Sequence, residues 1–337
     1  MEHGGNVWDA LSPGDWLDFS ANLRPEGVPD WVRAAMERAL AHARYYPDRS
    51  MRAARRGLAA YAGVSEACML PAAGGAAAID LLVASARGRV LTQAPAFGEY
   101  AARAAAQGKE HALFEGEFAP GDMLILGNPN NPTGAAPGRE AIFALRERAV
   151  RAGAEVVADE AFVDFCPERS VRGEVGEGLT VVGSLTKSLC IPGVRLGYVC
   201  AAPERVAALE RRALPWSLNM LAAAVAEALP GHEEELAGDA ARNAGRRVRL
   251  ARGLAALGAR VLPSEANFLL ADFGRDMTEA ARALRRGRIL VRTCESFGLP
   301  SSVWRLAVRT DGENERLLEA LALCLGGGEE GPCGENR

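Results

Sequence analysis

The chain has 337 residues and a mass of 35.6 kDa, enough for one large domain with a substantial core and a smaller second one. A net charge of −4 and a pI near 5.8 leave no global basic field of the kind that draws nucleic acid or an anionic membrane surface. Seven scattered cysteines without a Cys-x-x-Cys pair, and only four histidines, argue against a zinc site or a disulfide framework. No run approaches the roughly eighteen uncharged apolar residues of a membrane span, and the N-terminus lacks a basic and apolar leader, so a cytoplasmic protein is expected.

Residues 1–29 are rich in Gly, Pro, Asn and Asp and read as an irregular arm with turns at 12–14 and 24–27. Helical periodicity follows from Pro29 to Ala43 and from Arg52 to Tyr61, on either side of a Tyr45-Tyr46-Pro47-Asp48 break. Short apolar runs at Arg89–Thr92, Met123–Leu126, Glu155–Ala158, Thr180–Gly183 and Gly197–Cys200 then alternate with helices at Ala76–Ala86, Phe97–Ala106 and Arg139–Ala152. Such alternation predicts an α/β fold with a mostly parallel sheet covered on both faces. A long helical stretch over Pro203–Leu257 leads to a smaller α+β pattern, with strands at Arg260–Leu262, Phe268–Asp272, Ile289–Arg292 and Trp304–Ala307. The organisation expected is an arm and first helix over 1–45, a large domain over 46–225 and a small C-terminal domain over 226–325. The Gly/Glu-rich residues 326–337 read as a disordered tail.

The sharpest chemical signal is Ser184-Leu185-Thr186-Lys187, followed eight residues later by Arg195. A lysine flanked by small hydroxyls just past a buried strand suits an amine that forms an imine, while Ser184, Thr186 and Arg195 bind a phosphate. On their own, these residues equally describe a surface lysine and arginine on a loop. Asp159 adds a carboxylate at the C-terminal end of a parallel strand, where α/β sheets place their ligands, suited to holding a pyridine nitrogen protonated. Upstream, Gly74, Gly75 and Ala76 open a helix whose backbone amides can receive a phosphate.

Taken in order, Gly74-Gly75, Pro95-Ala96-Phe97, Asn131-Pro132-Thr133-Gly134, Asp159, Lys187 and Arg195 resemble the class I/II aminotransferase superfamily of fold type I over nearly the whole chain. The resemblance implies pyridoxal 5′-phosphate held on Lys187, with Phe97 stacked on its ring, Asn131 at its O3′ and Asp159 at the pyridinium. Ser184, Thr186, Arg195 and the Gly74-Gly75-Ala76 turn would surround its phosphate. Tyr46 matches a tyrosine that reaches the phosphate from the neighbouring subunit, which implies a homodimer with shared sites. Arg305 matches the arginine that clamps a substrate carboxylate, a task for which a planar guanidinium is well shaped.

Within the superfamily the chain is most similar to the L-threonine O-3-phosphate decarboxylases of cobalamin biosynthesis, relatives of the histidinol-phosphate aminotransferases. The matching residues are His3-Gly4-Gly5, Asp18-Phe19-Ser20-Ala21-Asn22, the 159–165 stretch Asp-Glu-Ala-Phe-Val-Asp-Phe, and 291–299 around Arg292. Phe162 stands where the aminotransferases usually carry a tyrosine, which removes one hydrogen bond to O3′. The resemblance puts the substrate phosphate among His3, Asn22 and Arg292, with Arg24 or Arg309 as further candidates. An aminotransferase of the histidinol-phosphate type, a decarboxylase preferring L-serine O-phosphate, and a non-catalytic cofactor-binding protein are the rival readings. Arg24-Pro25-Glu26 and the apolar 76–78 turn depart from the decarboxylase pattern, so the departures bear on substrate and on cofactor affinity.

Overall fold

The computed structural model describes residues 4–8 and 16–326. The strands are β1 (Leu17–Asp18), β2 (Met69–Ala72), β3 (Val90–Thr92), β4 (His111–Leu113), β5 (Met123–Gly127), β6 (Glu155–Asp159), β7 (Leu179–Ser184), β8 (Gly197–Cys200), β9 (Arg260–Val261), β10 (Phe268–Asp272), β11 (Ile289–Leu290), β12 (Arg292–Thr293) and β13 (Val303–Ala307). The helices are α1 (Asp30–Leu40), α2 (Arg52–Ala62), α3 (Gly75–Ser85), α4 (Glu99–Ala106), α5 (Arg139–Ala152), α6 (Pro203–Glu210), α7 (Met220–Ala228), α8 (Glu233–Ala256), α9 (Thr278–Arg286) and α10 (Asp311–Gly326).

The central sheet has seven strands in the order β2-β8-β7-β6-β5-β3-β4, parallel from β7 through β4, with β8 antiparallel to both of its neighbours. Its middle strands bury both faces. Along β5, Leu124 and Leu126 face one apolar cluster with Leu58, Leu185 and Tyr198, while Met123 and Ile125 face another with Ile79, Leu82 and Val182. This two-sided burial is why the strands read as unbroken apolar runs rather than alternating ones. A four-stranded antiparallel sheet, β12-β13-β10-β9, packs over a third cluster that includes Phe19, Leu254, Trp304 and Leu317. The arm joins this part directly, because β1 pairs in parallel with β11 and Ala307 donates its N–H to the Phe19 carbonyl at 2.9 Å.

The sequence expectation is corrected in three places. The helical stretch over Pro203–Leu257 is three helices, broken at Leu214-Pro215-Trp216 and at Pro230-Gly231. Each break holds a proline without an N–H, and Trp216 and Gly231 adopt positive φ. Asn219 then caps α7 by accepting from the Ala222 N–H at 3.0 Å. The single strand expected over Ile289–Arg292 divides into β11 and β12, which pair in different sheets. Strands β2 and β4 were not expected at all, nor was β1 within an arm read as irregular. Pro71 disguises the first, and an exposed edge position with little apolar content disguises the second. The expected tail beyond Gly326 lies outside the described residues.

Candidate active site

Strands β7 and β8 pair so that Ser184 lies opposite Gly197, and the connection between them carries Thr186, Lys187 and Arg195. Ser184 Oγ and Thr186 Oγ1 share a hydrogen bond of 2.9 Å and are both buried. The Gly74-Gly75 turn at the start of α3 comes against them. A Cβ on Gly74 would lie 2.7 Å from Arg195 Nη2, and one on Gly75 would lie 3.4 Å from Ser184 Cβ. Gly74 has φ +87, a conformation that only glycine adopts freely, and no side chain caps the helix. Two hydroxyls, a guanidinium and the amides of Gly75 and Ala76 in the first turn of an 11-residue helix therefore converge, an arrangement made for a phosphate.

Next to this cradle lies the amine. Burial, reinforced by the positive charges of Arg195 and Arg305 and opposed by Asp159, lowers the Lys187 ammonium from its ordinary range to about 8. A substantial fraction is then neutral near physiological pH, as a nucleophilic amine requires. Asp159 ends β6, and its carboxylate is buried. Burial raises its pKa, while the Tyr100 hydroxyl donating to Oδ2 at 2.7 Å, the Ala161 N–H donating to Oδ1 at 3.0 Å and the charge of Lys187 draw it back down. Tyr100 was not found from the sequence. It sits on α4, 59 residues before the aspartate, and meets it only because α4 packs beside the sheet. The one available signal was an aromatic three residues after Phe97. Those two rings pack edge to face at 5.6 Å, so Phe97 rests on the tyrosine that holds the aspartate.

Asn131 and Arg305 meet as well, with Arg305 Nη1 donating to Asn131 Oδ1 at 2.6 Å. Arg305 Nη2 donates to the Ser20 carbonyl of the arm at 2.7 Å, and its guanidinium lies 5.5 Å above the Phe268 ring. Burial lowers Arg305 to about 10. Arg292 stands directly opposite Arg305 in the β12–β13 register, is also buried, and donates to Ser296 Oγ at 2.6 Å. Asn22 completes this side, buried, with an Oδ1 that has no hydrogen-bond partner. Phe162 packs edge to face on Phe268 at 5.0 Å, together with Ala266, and so presents an apolar wall under the same arginine.

Two candidates are otherwise engaged. Arg24 is buried and donates to Asp239 Oδ2 at 2.5 Å and to the Gly27 carbonyl at 2.8 Å, so its role is to pin the arm to α8 rather than to meet a phosphate. Arg309 is held by Glu313 at 2.7 Å and by the Asp18 carbonyl at 3.2 Å. Tyr46 lies apart from the other candidates within this chain, 83% exposed, with its ring 5.0 Å from that of Trp216. His3 lies outside the described residues.

The model of the aminotransferase class I and II family matches residues 11–321. The chain belongs to that family. It is 33% identical to the threonine-phosphate decarboxylase of Salmonella typhimurium over 96% of this chain and 97% of that protein. It is equally 33% identical to a histidinol-phosphate aminotransferase of an Anaeromyxobacter species, over 91% and 90%. The solved L-threonine-O-3-phosphate decarboxylase from Porphyromonas gingivalis superposes with a TM-score of 0.83 at 25% identity, covering 91% of this chain and 99% of that one. The fold is therefore that of the fold-type-I enzymes, and the cofactor of this family member is pyridoxal 5′-phosphate. The site fits it. The glycine turn that a Cβ would fill provides an anion cradle, with an amine whose charge is poorly solvated and a buried carboxylate beside it.

Proposed function

We propose that the chain decarboxylates L-threonine O-3-phosphate to (R)-1-amino-2-propanol O-2-phosphate, a step of cobalamin biosynthesis. The observation that carries this reading is the pair of buried guanidiniums, Arg292 beside Arg305, beneath the arm that brings Ser20 and the unpartnered Asn22. Two adjacent buried cations suit a substrate with two acidic groups, and an amino-acid phosphate has both a carboxylate and a phosphate. Relatives named for this reaction, and one named for adenosylcobalamin biosynthesis, support the reading.

In this reading Lys187 carries the cofactor, Ser184, Thr186, Arg195 and the 74–76 turn hold its phosphate, Phe97 covers its ring, and Asn131 and Asp159 bind O3′ and the ring nitrogen. When bound, the cofactor supplies an electron sink conjugated to the substrate Cα. The protein would select which Cα bond breaks by how its residues orient the substrate. Arg305 positions the carboxylate, while Arg292, Asn22 and the arm around His3 hold the distal phosphate. The wall of Phe162 and Phe268 keeps water from the carboxylate as it leaves as carbon dioxide. Lys187 then returns a proton to Cα. Tyr46 reaches the phosphate of a second subunit, so the working unit is a homodimer; its exposure, and that of Arg195, fit a site completed by a partner.

The second reading, a histidinol-phosphate-type aminotransferase, rests on the equal identity to such an enzyme. Incubating the cofactor-loaded protein with L-threonine O-3-phosphate and no keto acid separates the two. Carbon dioxide and aminopropanol phosphate are expected, with L-serine O-phosphate run in parallel to read the contribution of the methyl group. Absence of product, with amino transfer from histidinol phosphate to 2-oxoglutarate, would overturn the proposal.

A further inference from the structure

Beginning at the residue after Lys187 lies a buried polar network that the chemistry above does not use. Ser188 directly follows the lysine and is buried, and its hydroxyl donates to Asp164 Oδ2 at 2.5 Å. Asp164 lies in a single helical turn over Val163–Phe165, five residues past Asp159 at the end of β6. The other oxygen of its carboxylate accepts from the Tyr61 hydroxyl of α2 and lies 3.8 Å from Arg172 Nη1. Arg172 in turn donates to the Tyr198 hydroxyl on β8 at 3.2 Å and to the Tyr61 carbonyl at 3.3 Å, and its guanidinium sits 4.5 Å above the Tyr61 ring. Tyr61 of α2 and Arg172, itself bonded to Tyr198 of β8, thus converge on one carboxylate, and that carboxylate holds the residue next to the lysine.

From these contacts we infer that Ser188 and Asp164 are positioning residues for Lys187, fixing the direction of its side chain through the backbone they share. The inference rests on Lys187 being the lysine that carries the cofactor. The turn is held from the opposite side by the Arg24 N–H donating to the Lys187 carbonyl at 3.0 Å, with Arg24 anchored on Asp239. Its internal bonds are Leu189 N–H to the Leu185 carbonyl at 3.1 Å and Ile191 N–H to the Thr186 carbonyl at 3.2 Å. Cys190 N–H also donates to the Lys187 carbonyl at 3.3 Å, and Leu185 N–H to the Leu196 carbonyl at 3.1 Å. Leu185, Leu189 and Ile191 pack the turn on the apolar core, and Ser188 adds the polar tie at the position next to the lysine, so losing it loosens the backbone where the lysine is attached. An amine that must both hold the cofactor and return a proton to one face of Cα is sensitive to such loosening, because small displacements of a reacting group carry large costs in rate.

Ser188→Ala removes the tie and Ser188→Thr keeps it. For the holoenzyme we expect kcat to fall about tenfold in Ser188→Ala, with KM for the amino-acid phosphate unchanged within about twofold. Ser188→Thr should recover most of that loss. The visible circular dichroism of the bound cofactor, read without substrate, should shrink in Ser188→Ala and return in Ser188→Thr, with the melting temperature as a control for folding. Asp164→Asn should follow Ser188→Ala. Unchanged dichroism and kcat in Ser188→Ala, or equal losses in Ser188→Ala and Ser188→Thr that track the melting temperature, would overturn the inference. Failure of the lysine assignment itself has a separate signature: Lys187→Ala would retain the visible absorbance band after dialysis.

Discussion

A buried amine with a pKa near 8 has a consequence for the folded chain before any cofactor binds. The unfolded chain carries the ordinary lysine value of 10.5, so between about 8 and 10.5 it binds a proton that the folded chain does not. Stability of the cofactor-free protein therefore rises with pH across that window, and at pH 7 the folded state bears the whole cost of the buried charge, on the order of 3 kcal/mol. Lys187→Met should make the cofactor-free protein more stable to urea at pH 7 by that amount, with the gain fading as the pH approaches 10.5; equal stability at pH 7 would contradict the burial argument. The lysine, Asp159 and the residues of the cradle were legible in the sequence because their chemistry is carried by short motifs at fixed spacing. Tyr100, Ser188 and Asp164 were not legible as partners, because a hydroxyl acquires its role only when packing brings an acceptor to it from a distant segment.

At the scale of elements, the site depends on how closely helices approach the sheet and one another. Helices α2 and α7 touch at Gly57, where a Cβ would lie 2.0 Å from the Ala226 carbonyl oxygen. Gly57→Ala should force the helices apart and cost about 1–3 kcal/mol in urea unfolding, while leaving the absorbance of the bound cofactor in place. No measurable cost would mean that the two helices slide freely. The parallel strands β3, β5, β6 and β7 were readable from their apolar runs, since burial on both faces leaves little else possible. Strand β2 was hidden by Pro71, whereas the three-helix division of 203–257 was signalled by Pro215 and Pro230-Gly231 and was passed over because helical periodicity continues on either side of them. The split of β11 from β12 is a tertiary fact, since one strand answers to the arm and the other to β13.

For the whole molecule, the exposed surface around Tyr45, Tyr46, Leu214 and Trp216 adjoins a hollow of about 610 Å³ between α1, α2 and α7, lined by Ala35, Met51 and Met220 among others. If two chains share their sites there, sedimentation should give about twice the chain mass. Tyr46→Phe should then lose cofactor about tenfold more readily on dialysis, the worth of one hydrogen bond to a phosphate. A monomer, or unchanged retention, would remove the shared-site reading. No helix among the described residues is long and apolar enough to cross a membrane. Finally, the cradle of Gly74, Gly75, Ser184, Thr186 and Arg195 is shaped for an anion before any cofactor enters it, so a small oxyanion that settles there stabilises the cofactor-free chain by mass action. Phosphate buffer and ammonium sulfate are therefore not neutral media for this protein. Each would raise the melting temperature of the cofactor-free chain and compete with the phosphate of the cofactor, and cofactor affinities measured in them would understate the true ones.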